Sequence, residues 1–262
     1  CLLLAGCGED TTTDKKAEKA VSSTEPLKAA WVYPSPRADE GWSKQHEEAR
    51  MLIEQKYGDK IKTQVVDNVT NTVDAERVIR DLAAQGNKII FATSFTYMNP
   101  ALKVAKEFPD VKFENCTGYK TAANYSNYNA RFYQARYLAG KLAASMSKTA
   151  HLGYVAAMPI PEVLQGINAY TLGAQSVNPD VKVSVVWTNT WYDPGKEVDA
   201  TNTLIGQGCD ILTHHTDSTA VPATAESRGV KVISYHSAMT KTAPKQLIGA
   251  VTHHWDEFYA HA

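Results

Sequence analysis

The sequence predicts an α/β protein built as two doubly wound parallel-sheet lobes with a ligand cleft between them. Short apolar runs alternate with longer amphipathic ones from Leu27 onward, the signature of strands separated by helices. That cycle runs once and then begins again at His151. The helices are long enough to return the chain by right-handed crossovers between parallel strands. With 262 residues, 44% of them hydrophobic, the chain can bury one large core or two modest ones.

The first strand spans 29–33, Ala29-Ala30-Trp31-Val32-Tyr33, and the helix over 43–57 sets Ala49, Leu52, Ile53 and Tyr57 on one side. A strand over 61–66, a helix over 73–85, a strand over 88–92, a helix over 100–108 and a strand over 111–115 follow. A helix over 128–147 closes the first set. The second set reads as strand 151–156, helix 161–177, strand 181–187, helix 195–206, strand 211–213, helix 220–228 and strand 231–235. The expected division is a first lobe over 27–147, a junction at 148–150, a second lobe over 148–245, and a return of 246–262 toward the first lobe.

The opening residues, 1–7, resemble the end of a bacterial lipoprotein signal: an apolar stretch, then Leu4-Ala5-Gly6-Cys7, in which Cys7 becomes the acylated N-terminus. Residues 8–26, rich in Thr, Lys, Glu, Ser and Ala, lack apolar periodicity and read as a flexible tether. The expected localisation is extracytoplasmic, on the periplasmic face or the cell surface, with membrane contact through the lipid alone. After Leu4 no apolar run approaches the roughly 18 residues that a spanning helix needs. Cys116 and Cys209 fall in different lobes and read as separate buried thiols. A formal charge of −1, from 27 basic and 28 acidic residues without a basic run, argues against nucleic acid as a partner.

In open parallel sheets ligands sit beyond the carboxyl ends of the strands. Those ends here carry polar and aromatic groups: Tyr33-Pro34-Ser35, Thr93-Ser94-Phe95, Met158-Pro159, Trp187 to Trp191, and His214-His215-Thr216-Asp217-Ser218. The stretches DEGWSKQHEEAR from Asp39, ATSFTYMNPALKVAKEFPDVKFE from Ala92 and RFYQARYLAGKLAASMSK from Arg131 resemble the basic membrane protein family of substrate-binding lipoproteins. So do GYVAAMPIPEVLQGINAYTLGA from Gly153, VVWTNTWYDPGKE from Val185 and QGCDILTHHTDS from Gln207. The best understood members are purine nucleoside receptors. The resemblance implies a type I periplasmic-binding-protein fold, lobes that close on a purine base or nucleoside, and delivery to an ABC permease by a monomer without cofactors. Two departures stand out. Where the family carries a Gly-Val-Asp-Ser-Asp-like turn whose first Asp contacts ribose, this chain has Ser234-Tyr235-His236-Ser237-Ala238. The family also continues past the last residue here, so a truncated C-terminus is expected, with a less stable first lobe.

A purine needs flat walls and a few fixed donors and acceptors. The resemblance places one stacking ring at Trp42, whose other reading is a core or lid ring; Trp191 is the natural opposing face, with Trp187 and Tyr192 as competitors. Asp217 has two readings, an acceptor for purine N–H groups or the N-cap of the following helix, a place that Ser218 or Thr219 also fills. Ser94, Phe95 and Tyr97 share a first-lobe strand end, where Ser94 and Tyr97 bond a ligand or pack the turn, and Arg131 reaches toward the cleft, is solvated or pairs the lobes. His236 stands where relatives hold ribose and favours a free base. No metal is expected, because the adjacent pairs His214-His215 and His253-His254 point to opposite sides of an extended chain. No catalytic residue is expected either. The competing readings are a nucleoside-cleaving enzyme using Asp217 or Asp193 as base, and a binding protein of the same fold for a sugar or autoinducer.

Overall fold

The computed structural model describes residues 25–262, so Cys7, the leader and nearly all of the expected tether lie outside the described residues. The first sheet contains β1 (Leu27–Val32), β2 (Ile61–Val66), β3 (Ile89–Ala92), β4 (Lys112–Cys116) and β5 (Tyr125–Tyr128), all parallel, in the order β2-β1-β3-β4-β5. Side chains alternate across it. Ala30, Val32, Ile90 and Ala92 face α2 (Thr72–Ala84) and α3 (Met98–Glu107), while Ala29, Trp31, Ile89 and Phe91 face α1 (Trp42–Tyr57). Burial on both faces explains why these strands read as continuous apolar runs.

The second sheet contains β6 (His151–Ala156), β7 (Lys182–Trp187), β8 (Ile211–His215), β9 (Lys231–His236) and β10 (Leu247–Thr252), again parallel, in the order β10-β9-β8-β6-β7. One face packs on α4 (Phe132–Met146) and α5 (Pro161–Gln175), the other on α6 (Pro194–Gly206) and α7 (Ala220–Arg228). Local chemistry sets the ends. Asn71 caps α2 by accepting the Asp74 N–H at 2.9 Å, Asp193 caps α6 by accepting the Lys196 N–H at 3.0 Å, and Gly229 (φ 67°) ends α7 in the left-handed region.

Three expectations need correction. The helix expected over 128–147 begins only at Phe132, as α4, and an edge strand that was not expected, β5, precedes it; Tyr125 and Tyr128 are buried as strand residues beside β4. The lobe junction is not at 148–150, because α4 already belongs to the second lobe. A Cβ on Gly140 would lie 1.9 Å from the Tyr170 carbonyl oxygen, and one on Gly173 would lie 2.0 Å from that of Tyr137. The α4–α5 crossing is therefore almost backbone on backbone, and the chain changes lobe at 129–131. Finally, the stretch 246–262 does not return as a unit: β10 extends the second sheet, and the first lobe is reached by the segment after it, with His253 and Trp255, and by α8 (Asp256–His261). There Tyr259 packs 4.6 Å from Phe91, and Phe258 stacks 4.2 Å from Tyr128.

Candidate ligand-binding site

The carboxyl ends of both sheets face one another across a small cavity. The first lobe contributes Pro34, Trp42, Ser94, Phe95 and Thr117, and the second Glu162, Trp191, His215, Asp217 and His236. Each sits just past a strand end or in the first turn of the helix that follows, where the parallel topology gathers side chains. Trp42, Ser94, Phe95, Trp191, Asp217 and His236 are thus brought together. Tyr97 and Arg131 are not. Tyr97 is fully buried behind the cavity, its hydroxyl donating to the Val69 carbonyl. Arg131 is exposed at the head of α4, where the chain crosses between lobes. Glu162, His215, Thr117 and Pro34 join the lining without having been singled out from the sequence pattern as individual groups.

The lobes meet through the loop before α1. Tyr192 donates its hydroxyl to Asp39 at 2.6 Å, Thr242 donates to the Glu40 carboxylate at 3.1 Å, and the Ser237 hydroxyl donates to the Glu40 carbonyl. A Cβ on Gly41 would lie 1.7 Å from the Asp217 carbonyl oxygen, so glycine is required there by contact across the cleft.

Asp217 does not cap α7: Thr219 occupies that position, and Ser218 Oγ accepts the Ala220 N–H at 3.1 Å. Its buried carboxyl stands 3.4 Å from His236 Nε2. Burial, reinforced by the nearby Glu197 carboxylate, pushes the Asp217 carboxyl well above the usual range. His236 is held neutral, chiefly by burial and then by neighbouring histidines. Its Nε2 lies 3.1 Å from the Thr216 carbonyl, which only accepts, so Nε2 carries the hydrogen; Nδ1 then accepts from His253 Nε2 at 3.0 Å. Both nitrogens are engaged, and the residue itself sits at φ 76°, in the left-handed region. Behind this wall Arg136 is fully buried. It donates to Thr213 Oγ1 at 3.1 Å and the His214 carbonyl at 2.7 Å, with its guanidinium 3.7 Å over the Tyr235 ring.

Three buried polar atoms of the lining, Glu162 Oε2, Trp191 Nε1 and His215 Nδ1, have no hydrogen-bond partner among the described residues. Such groups cost about 1–3 kcal/mol each when left unpaired, so their convergence in one cavity marks a place for a polar ligand. Trp42, by contrast, has its indole N–H on the Thr93 carbonyl at 2.6 Å. No group of three or more His, Cys, Asp or Glu placed to hold a metal ion occurs among the described residues.

Two doubly wound lobes closing their strand ends on one small cavity define a type I periplasmic-binding-protein fold, a receptor architecture for small solutes. The chain belongs to the Bmp family, the PnrA-like substrate-binding proteins of ABC transporters, whose family model matches residues 27–262. It is 52% identical over 240 residues to a purine-binding protein of Brucella abortus, covering 92% of this chain and 69% of that one. It is 39% identical over 252 residues to a Haloferax volcanii protein provisionally named an ABC transporter glucose-binding protein, covering 96% of this chain and 63% of the relative. The chain thus spans about two thirds of the length of each. A solved solute-binding protein of an Aeropyrum pernix ABC transporter superposes with a TM-score of 0.75 at 20% identity, covering 88% of this chain and 68% of that one, a likeness of fold.

Proposed function

We propose that this chain captures a purine, as the free base or the nucleoside, outside the cytoplasm and hands it to an ABC permease without chemical change, working as a monomer. The observation that carries this reading is the pairing, in one cavity, of flat walls with unpaired polar atoms. Trp42, Phe95 and Trp191 offer faces for a planar ring, while Glu162, Trp191 and His215 hold free polar atoms at its rim. The Brucella relative's name agrees with it. His236, with both nitrogens engaged, leaves no acceptor for ribose hydroxyls. Among the acids considered for catalysis, Asp193 is committed to capping α6.

Sugars also stack on aromatic rings, and the Haloferax relative gives that reading its support. Calorimetry with adenine, adenosine, guanine, guanosine and glucose separates the two. Purine binding is expected, and Trp191→Ala, which removes a half-buried ring, is expected to weaken it ten- to a hundredfold, about 1–3 kcal/mol, with little change in unfolding. Glucose binding without purine binding overturns the proposal.

The same proposal includes a lipid on Cys7 as the only membrane anchor, motivated by Leu4-Ala5-Gly6-Cys7. Expressed with a complete signal peptide, the protein is expected to partition into detergent and Cys7→Ala into the aqueous phase. A wild type that stays aqueous and carries no acyl chain rejects the anchor.

A further inference from the structure

Glu162 lies outside the groups that the sequence pattern singles out, yet it occupies the most exacting position in the cleft. It is the second residue of α5, after Pro161, and its side chain turns inward, 9% exposed. One carboxyl oxygen, Oε1, lies 3.4 Å from His215 Nε2; the other, Oε2, is buried with no hydrogen-bond partner among the described residues. Glu162 lines the inner cavity and also an adjoining chamber that includes Gly118, Asn129 and Gln165, so it stands where the two join.

We infer that Glu162 reads the ligand's edge, selecting adenine, whose amino group always has a ring-nitrogen acceptor beside it, over guanine held by its N1–H/N2–H edge, which presents two adjacent donors. This rests on the purine reading of the site. A carboxylic acid donates from one oxygen and accepts at the other, matching a ring nitrogen beside an amino group. It meets two adjacent donors with a donor of its own. An ionised carboxylate does the reverse and suits guanine.

The surroundings favour the acid form. Burial pushes the Glu162 carboxyl up to about 7, against the pull of the Thr117 hydroxyl and the Arg136 guanidinium. The other titratable groups that face it are Cys116 from β4, Tyr154 from β6, His215 and Asp217 at the end of β8, and Tyr235 from β9. Burial first, then Arg136, keeps His215 uncharged, so it supplies no cation to hold Glu162 ionised. Arg136 itself is engaged by Thr213 and the His214 carbonyl. With the proton needed for adenine, the preference for adenine is present below about pH 7 and lost as pH rises through it.

Calorimetry of the full chain with adenine and guanine at about pH 6 and pH 8 tests this, one unit either side of the midpoint. In wild type adenine affinity is expected to fall, and guanine affinity to rise, each about tenfold between the two, so their ratio falls about a hundredfold. Glu162→Gln carries a permanent donor–acceptor pair and is expected to hold adenine within about threefold of the wild-type value at the lower pH, with a ratio insensitive to pH. Glu162→Ala is expected to weaken adenine about tenfold or more while keeping the wild-type circular dichroism. A wild-type ratio that is the same at both values, or Glu162→Gln losing as much as Glu162→Ala, overturns the inference alone. A wild type that binds no purine overturns the proposed function and this inference with it.

Discussion

Gly41→Ala is expected to weaken ligand binding about a hundredfold by parting the lobes. Gly41 has φ −92° and ψ −154°, an extended conformation that alanine adopts freely, so no backbone strain enters. The obstacle is space across the cleft: the added Cβ would lie 1.7 Å from the Asp217 carbonyl oxygen and 2.7 Å from its carbon. Asp217 cannot retreat easily, because its own N–H is tied to the Trp191 carbonyl at 2.9 Å. The lobes must part instead, and the Tyr192–Asp39 and Thr242–Glu40 contacts open with them. Losing two such bonds to charged groups, at about 1.5–3 kcal/mol each, accounts for a hundredfold, about 2.7 kcal/mol. Calorimetry gives the affinity and small-angle scattering the degree of closure. Wild-type affinity in Gly41→Ala would show that the ligand is held without this contact.

The same contact shows where sequence reasoning ends. The alternation of strands and helices is written in local periodicity, and the rule that ligands meet strand ends already pointed at Trp42, Ser94, Asp217 and their neighbours. Gly41 is different. Nothing in Glu40-Gly41-Trp42 announces that a backbone from the other lobe comes to rest there. The lobe boundary is hidden for a similar reason, since Gly140 and Gly173 lie 33 positions apart and acquire meaning only when α4 and α5 cross. β5 escapes because Tyr-Ser-Asn-Tyr at a sheet edge carries two polar residues and no apolar run. Arg131 and Arg136 are five positions apart on neighbouring turns; which one is buried depends on the direction in which α4 meets β8 and β9. Glu162 reads as an ordinary first-turn acid, a favourable place beside the helix dipole. Its inward turn follows from how the lobes close, which no local pattern encodes.

Trp42→Ala is expected to lower the unfolding free energy by about 3–5 kcal/mol, quite apart from any loss of ligand contact. The ring is 6% exposed, and it is packed edge-on from several sides: His46 at 4.6 Å, His236 and Trp255 at 5.6 Å, His253 at 5.7 Å and Phe132 at 6.2 Å. These neighbours come from α1, the end of β9, the crossing segment before α8 and the start of α4, so one side chain ties both lobes to both crossings. Truncation opens a cavity at that junction and strands the Thr93 carbonyl, which now accepts the indole N–H at 2.6 Å. Trp42→Phe keeps most of the ring and strands only that carbonyl, so its cost is expected near 1–3 kcal/mol. Urea unfolding of the two variants resolves the difference, and equal midpoints for Trp42→Ala and wild type would refute the structural role. The consequence reaches the binding experiments. Because Trp42 serves the fold and lines the cavity together, a weak Trp42→Ala receptor reports both effects at once. Trp191, half-buried, with its indole N–H unpaired among the described residues, is the ring whose removal reports mainly the loss of ligand contact, stacking and indole N–H together.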